Sequence, residues 1–200
     1  MIIPININVL TSFLIKLGVD ICTKGKADGL VTNPISKEVL YKSGFNFPGH
    51  TEFLGELTKG LHMPYSRGPV MMLSGGGLKI ALITVHVPLR EAALLITKKD
   101  IIKKARVINE ALINDFGIKY PRIALAGLNP HAGENGQLGQ EEINIINPAA
   151  KILRTEGINI SDALPADTLF HEESRSMYDA AIAMYHDQGL IPVKTLDFHG

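Results

Sequence analysis

Three histidines follow short apolar segments, and this repeated placement is the strongest chemical signal in the sequence. His86 comes after LKIALITV, His131 after RIALAGLNP and His186 after DAAIAMY. Each segment is short and apolar, as buried strands are. Because the carboxyl ends of parallel strands lie at one edge of a sheet, the three imidazoles are expected to converge there. Three imidazoles with an open coordination position are typical of a catalytic metal site.

The metal hypothesis competes with a simpler interpretation, in which each histidine is an ordinary polar residue at the end of a strand. For any one histidine the simpler interpretation is favoured, but for three in equivalent positions we favour a divalent metal. Imidazole ligands favour zinc or cobalt, and magnesium stays an alternative. The loop NPHAGENGQLG around His131 is rich in glycine, so its backbone could approach a ligand closely.

Acidic and basic residues near these histidines could complete a site. Asp187 is adjacent to His186, and we expect it to orient another ligand rather than His186 itself. Lys194, predicted to lie on a short strand, could bind a carboxylate or phosphate or move a proton, and Asp167 could accept a proton. Taken singly, each of these residues is more typical of a surface or capping position.

Two further segments could bind anions. In FPGHTEF, His50 and Thr51 stand at a predicted helix start, where imidazole, hydroxyl and backbone N–H groups can face an anionic substrate. The alternative, equally favoured, is that Thr51 caps the helix and His50 is a loop residue. SGGGL lies between two apolar runs, so a hairpin turn is favoured over a phosphate-binding loop.

Strands that alternate with helices predict an α/β fold with a mostly parallel sheet. The predicted strands are DGLVTNP, PVMMLS, LKIALIT, RIALAG, DAAIAMYH and IPVKTL. The predicted helices cover residues 11–27, a segment after Ser36, a segment after His50, 89–97, 98–116 and 141–157, the last kinked or divided at Pro148. ALPADTLF is expected to turn into a short helix. No internal domain boundary is visible.

Composition excludes several classes of protein. The 200 residues carry no net charge, so neither nucleic acid nor an anionic membrane is an expected partner. The apolar start of the chain lacks a basic segment and is interrupted by Pro4, which is untypical of a signal peptide. The single cysteine, Cys22, fits a reducing compartment. We therefore expect a cytoplasmic protein.

Five stretches of the chain resemble the 4-hydroxythreonine-4-phosphate dehydrogenases of pyridoxal phosphate biosynthesis. They are FPGHTEF, TVHVPLR, GLNPHAGENG, LPADTLF and AMYHDQGLIPVK. The resemblance implies a two-domain α/β fold similar to isocitrate and isopropylmalate dehydrogenases, with mostly parallel sheets and flanking helices. Residues 1–200 would form only part of this catalytic region, because the family's opening glycine-rich segment and downstream phosphate-binding residues are missing.

The resemblance also implies a site and a reaction. His86, His131 and His186 correspond to the metal ligands, and His50, Thr51 and Lys194 to substrate contacts. Lys194 and Asp167 are the candidate catalytic residues. NAD or NADP and one divalent metal would serve as cofactors, in a homodimer with its active site at the subunit interface. The expected substrate is 4-phosphooxy-L-threonine, oxidised at its C3 hydroxyl and then decarboxylated to 3-amino-2-oxopropyl phosphate.

Three alternatives remain open at this point. The enzyme could oxidise another phosphorylated hydroxy acid with the same machinery. It could be an acyl-phosphate transferase of related fold, which needs no metal. It could also be a non-catalytic fragment that binds metal without holding the nicotinamide cofactor.

Overall fold

The computed structural model describes residues 7–32, 47, 49–62, 66 and 68–198. The chain forms two compact units, Met1–His62 and Met63–Gly200. In the first unit, helix α1 (Ile7–Thr23) buries Ile15 and helix α2 (His50–Thr58) buries Phe53. The helix predicted over 11–27 is present, but Phe13, Leu14 and Leu17, whose spacing predicted it, are exposed. The strand expected over DGLVTNP is wrong for residues 28–32, which lie outside any strand. Residues 33–34 and the helix expected after Ser36 lie outside the described residues.

The second unit contains a five-stranded sheet. Its strands are β1 (Met72–Gly75), β2 (Leu78–Leu82), β3 (Ile123–Ala126), β4 (Ile160–Leu164) and β5 (Ala180–Ala183), in the order β1-β2-β5-β3-β4. β1 and β2 are an antiparallel hairpin whose turn uses Gly76 and Gly77 at positive φ, which confirms the turn predicted for SGGGL. All other neighbours pair in parallel, which confirms the predicted α/β class.

Helices cover both faces of this sheet. They are α3 (Leu89–Leu95), α4 (Lys98–Asn114), α5 (Asn147–Thr155), α6 (Ala166–Leu169), α7 (Glu172–Arg175) and α8 (His186–Leu196). One core contains apolar residues of α4 and α5, and the other contains residues of α6 and α8. β5 is buried along its whole length because it lies at the centre of the sheet, which explains its run of small apolar residues.

In this unit two predicted elements differ from the structure, and one strand was not predicted. The helix over 141–157 opens as a π-helix (Glu142–Ile146), and α5 follows with Pro148 in its first turn, where a missing N–H costs little. β4 was not predicted, because it is an edge strand with alternating burial. The strand predicted for IPVKTL is wrong: this segment belongs to α8 despite Pro192, and its Val193 packs into the core.

Candidate functional site

His86 and His186 lie together at the carboxyl edge of the sheet. They follow β2 and β5, which are parallel neighbours, and their ring centroids are 5.3 Å apart. His86 is exposed and His186 is half-buried. The predicted convergence of imidazoles is therefore confirmed for this pair. Two imidazoles at this separation can bind one divalent ion between them.

Asp187 contacts His186 directly. The Nδ1–H group of His186 donates to the Asp187 carboxylate, with the Nδ1 and Oδ1 atoms 2.7 Å apart. The expectation that Asp187 would not reach its neighbour is therefore wrong. The two residues are the first two of α8, and the bond is a local one between neighbours in sequence. This bond leaves Nε2 of His186 available to a metal, the usual arrangement for metal-binding histidines.

His131 lies in an unusual turn, Pro130–Gly136, directly after β3. Its backbone is left-handed at five consecutive residues, with positive φ at His131 (51°), Ala132 (51°), Gly133 (81°), Glu134 (43°) and Asn135 (53°). Only one of the five is glycine, and each of the others costs about 1–2 kcal/mol in this conformation. Contacts elsewhere must therefore stabilise this turn.

The buried carboxylate of Glu142 holds the backbone that leads into this turn. Its Oε1 accepts hydrogen bonds from the backbone N–H groups of Leu128 and Asn129, both at 2.8 Å. Its Oε2 accepts from the Asn129 side-chain amide at 2.9 Å. Glu142 was not predicted from the sequence, yet a signal existed. Buried side chains of the same helical segment follow it at helical spacing, at Ile146, Ala149, Ala150 and Leu153.

The adjacent carboxylate, Glu141, shares the same amide. Its Oε2 accepts from the Asn129 side-chain nitrogen at 2.7 Å, and this hydrogen bond lowers the pKa of Glu141. The same oxygen accepts from the backbone N–H of Gln140 at 3.0 Å, whereas Glu142 accepts from the backbone of Leu128 and Asn129. Glu142 therefore fixes the backbone before the His131 turn, whereas Glu141 fixes the backbone after it.

Two more polar side chains support this edge and were not predicted. The Gln188 amide is buried; its oxygen accepts from Met184 N–H and its nitrogen donates to the Gly127 carbonyl, both at 2.7 Å. Gln188 therefore connects the end of β5 to the end of β3. Lys104 of α4 donates to the Ile83 carbonyl just past β2, and its burial lowers the pKa of the ammonium group.

The structure does not assemble the complete histidine set. Within the residues that the structure describes, no three His, Cys, Asp or Glu side chains are close enough together to hold one metal ion. The single chain thus pairs His86 with His186, while His131 stands exposed on the adjacent strand's loop. The three-histidine metal site stays a prediction.

Asp167 and Lys194 occupy different positions relative to this edge. Asp167 is exposed at the start of α6, directly after β4, and α6 contacts the Pro130–Gly136 turn. Lys194 lies on α8 rather than on a strand, about 12 Å along the helix axis from His186. Its ammonium group is exposed and lies 5.3 Å from the centroid of the Phe198 ring. The predicted roles of both residues stay predictions.

His50 and Thr51 belong to the first unit, where α2 begins at His50 as predicted. The N-cap residue is Gly49, and no side chain caps this helix end, so the interpretation of Thr51 as a cap is wrong. Thr51 is exposed. Among the described residues, no helix is both long and apolar enough to span a membrane.

Comparison with known proteins gives a consistent result. Residues 9–200 match the family model described as "Pyridoxal phosphate biosynthetic protein PdxA". The chain is 57% identical over 190 residues to the 4-hydroxythreonine-4-phosphate dehydrogenase of Maricaulis maris, and 54% identical over 186 residues to that of Caulobacter vibrioides. These alignments cover 95% and 93% of this chain but only 56% of each relative.

Solved structures agree with the sequence relatives. The crystal structure of 4-hydroxythreonine-4-phosphate dehydrogenase from Klebsiella pneumoniae superposes with a TM-score of 0.86 at 38% identity, covering 96% of this chain and 57% of that chain. A terephthalate 1,2-cis-dihydrodiol dehydrogenase from Burkholderia xenovorans superposes with a TM-score of 0.73 at 30% identity, covering 92% and 56%. The expected isocitrate and isopropylmalate dehydrogenase-like fold is confirmed, and the chain spans little more than half of these relatives. By sequence and by structure alike, this chain belongs to the PdxA family of pyridoxal phosphate biosynthetic proteins.

Proposed function

We propose that this chain provides part of a metal-dependent, NAD- or NADP-linked dehydrogenase acting on 4-phosphooxy-L-threonine. The reaction would oxidise the C3 hydroxyl and release the carboxylate as carbon dioxide, giving 3-amino-2-oxopropyl phosphate. The observation that carries the proposal is the His86–His186 pair, whose rings are 5.3 Å apart at the carboxyl edge of the sheet. The names of the relatives support the substrate.

The types of residue at this edge suit a metal ion, and the described chain brings two of the three candidate histidines together. His86 and His186 would supply two imidazole ligands and His131 the third, a donor set that suits zinc or cobalt better than magnesium. The bond from His186 Nδ1 to Asp187 leaves Nε2 as the metal-facing atom. When bound, such an ion lowers the pKa of a coordinated hydroxyl and stabilises the developing negative charge.

The remaining predicted residues would bind the substrate and move its proton. His50 and Thr51 would hold one end of the substrate, and the Lys194 ammonium would bind its anionic group. Asp167 or Lys194 would accept the proton of the C3 hydroxyl, directly or through a water molecule. The nicotinamide cofactor accepts the hydride, and the residues that bind it are not assigned.

The assembly proposed for this enzyme is a cytoplasmic homodimer with its active site at the subunit interface. Residues 1–200 would form part of the two-domain catalytic region of this family. Exposed metal-ligand candidates support the interface proposal, because His86 and His131 are both open to a second subunit. No nucleic acid or membrane is proposed as a partner.

The test is a nicotinamide absorbance assay with 4-phosphooxy-L-threonine and either NAD or NADP, with and without a chelator. Turnover should require metal and should fall about 100-fold or more in His186→Ala, because a metal ligand is lost. His62→Ala is the matched control, since His62 is exposed in the first unit and has no proposed role. Turnover that persists in chelator and in His186→Ala would exclude the metal-dependent mechanism.

Two alternatives are separated by a wider substrate panel and by a thermal-shift measurement. A substrate panel with other phosphorylated hydroxy acids and a cis-dihydrodiol would reveal a different dehydrogenase, an alternative raised by the Burkholderia xenovorans structure. A fragment that binds metal but not cofactor would show no rise in melting temperature with NAD or NADP, because a ligand stabilises only the state that binds it.

A further inference from the structure

The buried carboxylate of Glu142 is the central contact of the turn that carries His131. Glu142 exposes only 2% of its surface, and it makes three hydrogen bonds of 2.8–2.9 Å to Leu128 and Asn129. Asn129 is two residues before His131. A buried charge is retained only when such bonds replace its water, so the carboxylate and this backbone segment depend on each other.

The turn is also shaped around the carboxylate. A Cβ atom at Gly133 would lie 2.7 Å from Oε2 of Glu142, so only glycine leaves space for the carboxylate there. Gly127 is similarly crowded, since its Cβ would lie 2.9 Å from the Ala132 Cα atom. The carboxylate therefore contacts the turn from both sides of His131 in sequence, before it at Asn129 and after it at Gly133.

The conformation of His131 cannot come from its own backbone preference. His131 and Ala132 both adopt φ of 51°, a conformation that L-residues avoid, and such strain persists only where surrounding contacts fix it. Two backbone bonds also close the turn, Ala132 N–H to Asn129 carbonyl and Leu138 N–H to Gly133 carbonyl, both at 3.1 Å. The two acceptor residues, Asn129 and Gly133, both lie beside the Glu142 carboxylate in space.

We propose that Glu142 is a positioning residue, which fixes the Pro130–Gly136 turn so that the His131 imidazole points to the metal. The inference rests on the proposed function, because it assumes that His131 is a ligand. It assigns to Glu142 no contact with substrate, cofactor or metal. Its effect on metal binding should therefore act only through His131.

A double-mutant cycle separates this role from a general effect on folding. Cobalt(II) affinity is measured for the metal-free 200-residue chain as wild type, Glu142→Gln, His131→Ala and the double variant. In Glu142→Gln the new side-chain N–H group faces the Asn129 amide N–H, and two donors cannot bond to each other. The substitution therefore removes the hydrogen bond from Asn129 to Oε2 and the negative charge of the carboxylate. We expect about tenfold weaker cobalt binding while the His131 ring is present, and no further loss once His131 is alanine.

Glu156→Gln is the control for the change in charge. Glu156 is paired with Arg106 on the surface, away from the turn, and its substitution should leave cobalt affinity unchanged. Asn129→Ala is the second variant if Glu142→Gln fails to fold. It removes the side-chain bonds to Glu142 Oε2 and to Glu141, keeps the backbone bonds to Glu142 Oε1, and should weaken cobalt binding in the same direction. An equal loss in the presence and absence of the His131 ring would overturn the inference.

A measurement without metal separates failure of this inference from failure of the proposed function. If His131→Ala leaves cobalt affinity unchanged, His131 is not a ligand and the proposed metal site fails. The role of Glu142 is then decided by nuclear magnetic resonance of the metal-free chain. There Glu142→Gln should shift the His131 imidazole signals and speed amide exchange at Ala132 and Leu138, while Glu156→Gln should do neither. Unchanged signals and exchange would overturn the positioning role itself.

Discussion

His186 and His131 follow neighbouring parallel strands, yet the chain supports them in different ways. His186 begins a regular helix that packs through Gly189 onto β2, where a Cβ atom would lie 2.6 Å from the Leu82 side chain. His131 lies in a left-handed turn that a buried carboxylate holds by hydrogen bonds. Apolar packing determines the first position, whereas a polar network determines the second.

This difference has a consequence for how each side tolerates substitution. Apolar packing is non-directional, so its loss mainly lowers the free energy of unfolding. A hydrogen-bonded turn is directional, so a change there alters the orientation of the groups that it carries. Variants on the His186 side should therefore show their effect first in stability, and variants on the His131 side in ligand binding.

The largest stability effect is expected on the His186 side. Leu82→Ala removes a fully buried side chain beneath α8 and should lower the free energy of unfolding by about 3 kcal/mol, from lost burial and a residual cavity. Urea denaturation measures this change. Leu94→Ala is the matched control, because Leu94 is 83% exposed and its loss should cost less than about 0.5 kcal/mol. Equal effects of the two substitutions would contradict the assignment of this core.

A smaller effect is expected in the His131 turn. Gly133→Ala combines an unfavourable φ of 81° with a contact of 2.7 Å to Glu142, and should cost about 2 kcal/mol. Gly157→Ala is the control, because Gly157 has a φ of 86° but no atom within 4 Å of the position that a Cβ would take, so only about 1 kcal/mol is expected. The difference between the two melting curves isolates crowding against the carboxylate. Identical losses would mean that the Glu142 side chain moves away freely.

The smallest effect is expected at the opposite edge of the sheet, and it depends on pH. Asp179 precedes β5 and accepts hydrogen bonds from the Arg122 guanidinium at 2.9 and 3.2 Å and from Arg122 N–H at 2.8 Å. The Arg122 guanidinium holds the pKa of Asp179 below its usual value. A carboxylate with a lowered pKa in the folded state stabilises the protein above its ordinary pKa and loses this effect as the pH falls through the lowered value.

Stability should therefore fall slightly below about pH 4, the ordinary pKa of an aspartate, because the unfolded chain takes up a proton there before the folded Asp179 does. The effect is small because solvent screens an exposed guanidinium. Asp179→Asn should flatten that part of the stability curve while cobalt affinity at the carboxyl edge stays unchanged. Denaturation at a series of pH values measures the first effect. A change in cobalt affinity would show that the Arg122–Asp179 pair, at the opposite edge of the sheet, also influences the metal site.

Local sequence patterns predicted helices and strands correctly where the spacing of apolar residues matches the burial that the structure shows. The helix Lys98–Asn114 has buried residues at helical spacing, and its N-cap Thr97 accepts from the Asp100 N–H, so the predicted helix was correct. The central strands β2, β3 and β5 were predicted from apolar runs, since strands buried on both faces need no alternation. IPVKTL satisfied the same rule and was wrong, because its apolar residues are buried by a helix instead.

The sequence by itself determined the α/β class, the position of each histidine after a strand and, through its motifs, the family. Those properties depend on local pattern and chain order, which a sequence contains directly. Only the tertiary structure decided that His86 and His186 are paired, that Asp187 contacts its neighbour and that Glu142 is buried under the His131 turn. The His86–His186 and Glu142 contacts join residues that are far apart in sequence, and the Asp187 contact depends on the local conformation at the start of α8. The spacing of residues in the sequence therefore does not predict them. The strand order β2-β5-β3 brings them together.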